Sequence, residues 1–347
     1  MSNLRLSLFG LLLLTASQVM AASHAVVFMY HRFGEDQYPS TNIHLEQFDA
    51  QLEYLAQHNA QIWPLPRIIQ HIQQNKPLPE RTLAITIDDA YCSVYEHAWP
   101  RLQKYGWPFT VFVNTDPVDS GQADLMTWAQ MREMQKTGVH FANHAASHTS
   151  LVRSRAEDKA SWEQRIRLNI NKAQRRLAEE LGTTVNAEPQ LFAYPYGEYD
   201  TATADLLSVM GYIAFGQHSG AIGPLSDLRA LPRYPMAEAY AELDGFVQKA
   251  NSQPLPVLQA SPWEPVVSSN NPPTLSLQLQ KHLPDLACYN AHGEPLTLNW
   301  LDHTNVIIQA KNILPPGRSR YNCTAATGHG NWYWYSHPWL IREAETR

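Results

Sequence analysis

Over the first two-thirds of the chain, short apolar runs alternate with amphipathic stretches, and this limits the possible folds more than any other feature. "AVVFMY", "LAITI", "FTVFVN", "VHFAN", "LFAYPYG" and "YIAFG" read as buried strands. Between them, "HLEQFDAQLEYLAQH" sets Leu45, Phe48, Leu52 and Leu55 on one helical face. A longer stretch does the same with Trp162, Ile166, Ile170, Ala173, Leu177 and Leu181, and "YEHAWPRLQKYG", "WAQMREMQKTG" and "ATADLLSVMG" supply further helices. Strands separated by helices pair in parallel, in an open sheet or a closed barrel. Either way, working groups collect where the strands end.

The alternation stops near residue 250. "NSQPLPVLQASPWEPVVSSNNPP" is rich in Pro, Ser and Asn and reads as a linker over 251–273. Beyond it "TLSLQLQ" alternates strictly, and "VIIQA", "RYNCTA" and "NWYWYS" continue as strands, predicting a small all-β, sandwich-like unit over 274–347. Alternation there puts Trp332 with Trp334 on one face and Tyr333 with Tyr335 on the other, so one pair enters a core. The exposed pair would be a platform for sugar rings or a structural surface.

At the N-terminus, Arg5, the apolar run Leu6–Leu14 and the small residues around Ala21 have the layout of a secretory signal peptide over 1–21. The run is short for a bilayer span. The mature chain, from Ala22, is expected in a periplasm or outside the cell, with no transmembrane anchor. Of three cysteines, Cys288 and Cys323 fall together in the C-terminal unit, where an oxidising compartment permits a disulfide. Cys92 is then left over, as a buried and inert thiol. A formal charge of −6 over 347 residues argues against nucleic acid as a partner.

The strand "LAITI" runs into two adjacent carboxylates, Asp88 and Asp89, which repel one another unless something needs both. "VHFAN" runs into "HAASH", bringing His144 and His148 to the same rim, and "VVFMYH" brings His31. A carboxylate with two imidazoles is a ligand set for a first-row divalent metal, zinc being the first candidate. Consecutive side chains on an extended backbone point apart, so one aspartate binds metal while its neighbour takes a proton from water. Ala145 stands where a zincin would have its glutamate, and an iron oxygenase normally places the carboxylate beside its first histidine. Those readings of the same residues are weaker.

From about His24 to about Ala250, the chain resembles the polysaccharide deacetylases of carbohydrate esterase family 4, the NodB-homology domain. "TIDDAY", "NHAASH" and "FAYPYGEY" resemble that family's three motifs in order, and "MYHRF" resembles a permuted branch seen in poly-N-acetylglucosamine deacetylases. The resemblance implies a distorted (β/α) barrel over 22–250. It implies that Asp89, His144 and His148 hold the metal, that Asp88 is the catalytic base and that His31 is the acid. The oxyanion and substrate would meet the Tyr196 N–H, Pro195 and Tyr194. The third motif's arginine falls on Ala193, and Arg233 in "ALPRYPM" is the candidate to replace it. The implied reaction is removal of N-acetyl groups from an N-acetylglucosamine-containing polysaccharide. O-acetyl ester cleavage with the same residues, or a catalytically weak glycan-binding role suggested by Ala193, are the alternatives.

Overall fold

The computed structural model describes residues 21–182, 189–328 and 330–343. Apart from Ala21, the expected leader lies outside them. Seven strands form a parallel half-barrel: β1 (Val26–Tyr30), β2 (Thr82–Asp88), β3 (Thr110–Val113), β4 (His140–Asn143), β5 (Gln190–Ala193), β6 (Tyr212–Phe215) and β7 (Tyr234–Pro235). Their spatial order is β6-β5-β4-β3-β2-β1-β7, with Gln61–Ile62 also pairing with β2. Every pairing is parallel, so all C-terminal ends face one rim.

The two-residue period of the strands sorts their side chains into separate cores. On β2, Leu83, Ile85 and Ile87 point outward to the helices beside Phe28, Tyr30 and Phe48. Ala84 points inward, in a cluster with Val27, Phe112, Ala193 and Phe215. The helix Leu65–Gln73 packs Leu65, Ile68, Ile69 and Ile72 into that inner cluster.

The helix Lys159–Leu181 covers the outer face of β4. Asp158 caps it by accepting from the backbone N–H groups of Ala160 and Ser161, at 2.9 and 3.0 Å. It ends at Gly182, whose φ of +83° lies in the left-handed region that glycine adopts without strain. All six residues read as its apolar face are buried. The helix "YEHAWPRLQKYG" differs from expectation only in beginning with a π-helical turn, Val94–Ala98, before the α-helix Trp99–Lys104.

Two further sheets follow. One has the order β8 (Val257–Ser261), β9 (Thr274–Leu279), β12 (Asn305–Gln309), β11 (Thr297–Trp300). The other is built on β14 (Trp332–Ile341), β13 (Gly317–Ala326) and β10 (Ala287–Tyr289). Leu275, Leu277, Leu279, Val306 and Ile308 meet Tyr321, Cys323, Trp339 and Ile341 between them. Cys288 and Cys323 are bonded directly across β10 and β13.

The stretch expected as a linker is sheet instead. Gln253–Pro254 and Val266–Val267 pair with β14, and β8 pairs with β9. Its prolines sit at strand ends and edges, where the missing N–H costs no ladder bond.

The two units meet along a seam. Trp334 packs edge-on against Tyr234, with ring centroids 5.3 Å apart, and its carbonyl accepts from the Leu255 N–H at 3.0 Å. Tyr333 and Tyr335 are the pair that packs on the β core. A cavity of about 410 Å³ lies in this seam, lined in part by Trp263, Trp334, His218 and His337. His218 Nδ1, His337 Nε2 and Trp334 Nε1 are buried there without hydrogen-bond partners.

Burial, with the Arg233 and Arg320 charges, pushes His218 down to about 3. Burial and His218 push His337 down to about 3. Both rings are therefore neutral when folded. Below the unfolded value of about 6.5 the unfolded chain takes up protons that the folded chain refuses, so stability falls as pH drops toward 3. Each histidine contributes a slope of up to about 1.4 kcal/mol per pH unit. Thermal melts between pH 7 and 5 should show His337→Gln losing stability with a shallower slope than the wild type; parallel slopes would contradict this. Ile170→Ala, deep in the face of Lys159–Leu181, is expected to cost about 2–5 kcal/mol in urea unfolding.

Candidate active site

Residues from four strand ends converge on the rim. Asp88 is the last residue of β2, and because Ala84 and Thr86 point inward, so does Asp88. At Asp89 the backbone leaves the strand with φ +74°, and Ala90 follows at +58°. These left-handed conformations cost about 1–3 kcal/mol each for non-glycine residues. They turn the second carboxylate away from the first. The Asp89 N–H donates to Phe112 O at 3.0 Å, which ties the turn to β3.

A second turn follows β4. The Asn143 side chain donates to Ile170 O at 3.1 Å and accepts from the Ala145 N–H at 2.8 Å, clamping a turn in which Ala145 has φ +63°. His144 is fully buried, and its Nδ1 is 2.7 Å from Ala193 O. That contact fixes the tautomer, with the proton on Nδ1 and Nε2 free to act as a ligand. Four residues later, past bends at Ala146 and Ser147, His148 comes back to the same point.

His144 Nε2 is 3.4 Å and His148 Nε2 3.1 Å from Asp89 Oδ1. All three atoms lie within 4.8 Å of one another. Asp89 Oδ1 and His144 Nε2 are nonetheless buried without a hydrogen-bond partner. Two orphaned buried polar atoms aimed at one point, on residue types that bind first-row metals, fit a divalent cation. Burial works against the Asp89 charge, but the contacts from His144 and His148 hold its carboxyl well below the usual range.

Asp88 is paired differently. The Arg233 guanidinium grips it with two parallel bonds, Nη1 to Oδ1 at 2.7 Å and Nη2 to Oδ2 at 2.8 Å. Arg233 also donates to Gly216 O and to Thr86 Oγ1, and both partners are fully buried. The guanidinium carbon is 5.2 Å from the Phe112 ring centre. Burial alone would raise the Asp88 carboxyl, but Arg233 outweighs it and keeps the group ionised. His31 Nε2 is 4.0 Å from Asp88 Oδ2. Burial pushes that imidazole down, against the pull of Asp88 and Asp89.

The third expected motif divides. Tyr196 is exposed, held at φ +60°, and its ring lies 4.6 Å from that of His148. Tyr194 is not at the rim. It is fully buried beside Phe192 and Tyr199, and its hydroxyl donates to Arg229 O at 2.7 Å. The strand has not yet turned at Tyr194, so its side chain enters the core behind the sheet. Pro195 is also buried; it begins the 3₁₀ turn that turns Tyr196 outward, and offers little surface to a ligand. Cys92 is only half-buried, its thiol against Leu125 O at 2.9 Å.

Two arginines at the rim escape sequence reasoning. Arg32 lies between the rings of Tyr38 and Tyr91, 3.9 and 3.4 Å from their centres, and pairs with Glu35 and Asp124. It braces the loop that begins at His31, and its place beside His31 in "HRF" was the available signal. Arg318, from the β unit, donates to Tyr196 O at 2.8 Å. No local pattern marks it, because its partner is distant in sequence.

Residues 75–215 match the family described as polysaccharide deacetylase. The chain is 27% identical over 222 residues to the poly-beta-1,6-N-acetyl-D-glucosamine N-deacetylase of Escherichia coli (strain K12), covering 54% of this chain and 32% of that protein. The chain thus spans about a third of the length of that relative. It is 26% identical over 249 residues to the enzyme of the same description from Staphylococcus aureus (strain MSSA476), covering 69% of this chain and 84% of that one.

Among solved structures, the Streptococcus pyogenes deacetylase PplD in complex with acetate superposes with a TM-score of 0.57 at 21% identity, covering 65% of this chain and 98% of that chain. IcaB from Ammonifex degensii superposes with a TM-score of 0.54 at 26% identity, covering 66% and 96%. The parallel half-barrel has the fold of these structures, and the stretch that matches the polysaccharide deacetylase family, residues 75–215, is the one that carries Asp88, Asp89, His144 and His148.

Proposed function

We propose that this chain removes N-acetyl groups from an N-acetylglucosamine-containing polysaccharide, with Asp88 as base, His31 as acid and Asp89, His144 and His148 as ligands of a divalent metal, zinc first. The observation that carries this reading is the division between two adjacent aspartates. One is locked to Arg233 and the other faces two imidazoles. Bound at Asp89, His144 and His148, a divalent cation supplies Lewis acidity, polarising a carbonyl oxygen and acidifying water.

The chain's own groups supply the rest. Asp88, ionised and fixed by Arg233, accepts a proton from the attacking water. The Tyr196 N–H donates to the oxygen of the acetamide as negative charge builds there. His31 delivers a proton to the departing nitrogen. An amide needs that proton far more than an ester does, so a buried imidazole 4.0 Å from the base favours N-deacetylation over the ester reading. Arg233 also meets the doubt raised by Ala193, since the base is oriented by an arginine from a different strand.

The leader over 1–21, the catalytic domain over 22–250 and the β unit beyond it belong to the same proposal, with export to the periplasm or beyond. The Cys288–Cys323 bond suits an oxidising compartment. Among the described residues no helix is long and apolar enough to cross a membrane.

Acetate release from β-1,6-linked N-acetylglucosamine oligomers, chitin oligomers and peptidoglycan fragments tests the reading. Activity should vanish on chelation and return with zinc. Asp88→Asn should lower kcat about 10²–10⁴-fold while zinc binding, measured by equilibrium dialysis, persists. Zinc-independent release, or an unaffected Asp88→Asn enzyme, would remove the proposal. Arg233→Met leaves a buried carboxylate unpaired and should destabilise the fold by about 3–5 kcal/mol as well as abolishing turnover. A stable, active Arg233→Met protein would show that Asp88 does not depend on it.

A further inference from the structure

A second cleft, of about 370 Å³, begins at Tyr196 and runs away from the ligand set between the half-barrel and the β unit. Tyr196, Gln217 and Tyr240 form one wall, and Arg318, Ser319 and Arg320 of β13 form the other. Tyr196 and Tyr240 are 42% and 48% exposed, although His148 lies against the Tyr196 ring and Arg320 and Lys249 approach that of Tyr240. Arg318 donates to Tyr196 O, and Arg320 Nη2 to the Tyr240 hydroxyl at 3.1 Å.

The donors in this cleft outnumber its acceptors. Among the described residues neither Arg318 nor Arg320 has a carboxylate partner, and Arg320 Nε is buried with no hydrogen-bond partner. Lys249, nearly buried, supports this wall, donating to Tyr240 O at 2.7 Å. The carboxylate that lines the cleft, Glu198, already accepts from Ser150 Oγ. Partly exposed aromatic rings beside guanidinium groups with no carboxylate partner, one of them with Nε unpartnered, match what a sugar unit offers: C–H faces that stack, and hydroxyl and carbonyl oxygens that accept. The volume is within the range of small-ligand sites.

We propose that this cleft binds the sugar unit adjoining the one whose acetamide lies at Asp88 and Asp89, so that the β unit forms part of the substrate site. This rests on the glycan-deacetylase reading. Tyr196 is shared between the two places, its ring against His148 and its carbonyl held by Arg318. A glycan extending from the reacting position past Tyr196 therefore enters the cleft that the bonded Tyr240–Arg320 pair lines. Recognition is then of a chain, and a single sugar leaves this part of the site unused.

Isothermal titration in an Asp88→Asn background with zinc added, where turnover is blocked, tests this. The probes are N-acetylglucosamine itself and its β-1,6-linked tetramer. Arg320→Gln and Tyr240→Ala, on opposite walls, should each lower the ratio of tetramer to monosaccharide affinity about ten-fold, or about 1.4 kcal/mol. In the turnover assay without the Asp88 change, they should raise KM for the tetramer more than they lower kcat. An unchanged affinity ratio in both variants overturns the proposal. If the wild type releases acetate while the ratio holds, only the cleft is lost; if it releases none while the ratio falls, the cleft stands and the deacetylase reading is lost.

Discussion

The paired contact between Arg233 and Asp88 is the interaction on which the rest of the half-barrel depends. Both groups are fully buried, beside an inner cluster of aliphatic and phenylalanine side chains. Removing either charge from water costs several kcal/mol, and the pair recovers this only through close, two-pronged geometry with every remaining donor satisfied. Arg233 meets most of that demand, with Gly216 O and Thr86 Oγ1, which lie just beyond β6 and on β2, bringing four of its five N–H groups into hydrogen bonds. One side chain thus fastens β7, β6 and β2 from inside and leaves an ionised carboxylate at the rim. For stability alone, an apolar pair of similar volume would serve as well or better. That nature keeps the charges points to the work of the carboxylate.

Next to this rigid pair, the chain is bent away from its preferred conformations. Asp89, Ala90, Ala145, His148 and Tyr196 all have positive φ and all lie within the site or next to it. Hydrogen bonds to their backbone groups hold these turns: the Asp89 N–H donates to Phe112 O, the Ala145 N–H to the Asn143 side chain, and Tyr196 O accepts from the Arg318 guanidinium. Strain of this kind persists where the surrounding structure overdetermines it. Here it converts strand ends that would point straight up into ligand atoms that point at one another.

Much of this was legible in the sequence, for physical reasons that differ by element. The parallel half-barrel followed from hydrophobic period, and the buried face of Lys159–Leu181 could be named residue by residue because six large side chains recur at helical spacing. The cluster of Asp89, His144 and His148 was legible because rare residue types follow directly on recognisable strands. Tyr194 was misplaced because a motif does not show where the strand ends, and Tyr194 is still extended and faces the core behind the sheet. The linker was misread because proline-rich composition marks both mobile chain and strand edges, and only pairing partners distant in sequence distinguish them. Arg318 left no trace for the same reason: its role lies entirely in a contact 122 residues away.

That contact has a consequence for how the molecule comes into being. Ribosomes make Asp88, Asp89, His144 and His148 early and Arg318 late, after the half-barrel sequence is complete. A nascent chain can therefore bring Asp89, His144 and His148 together while Tyr196 still lacks the guanidinium that holds its carbonyl. The cluster at the rim forms first, and the cleft beside it is completed last, only when β13 and β14 have paired and docked along the seam.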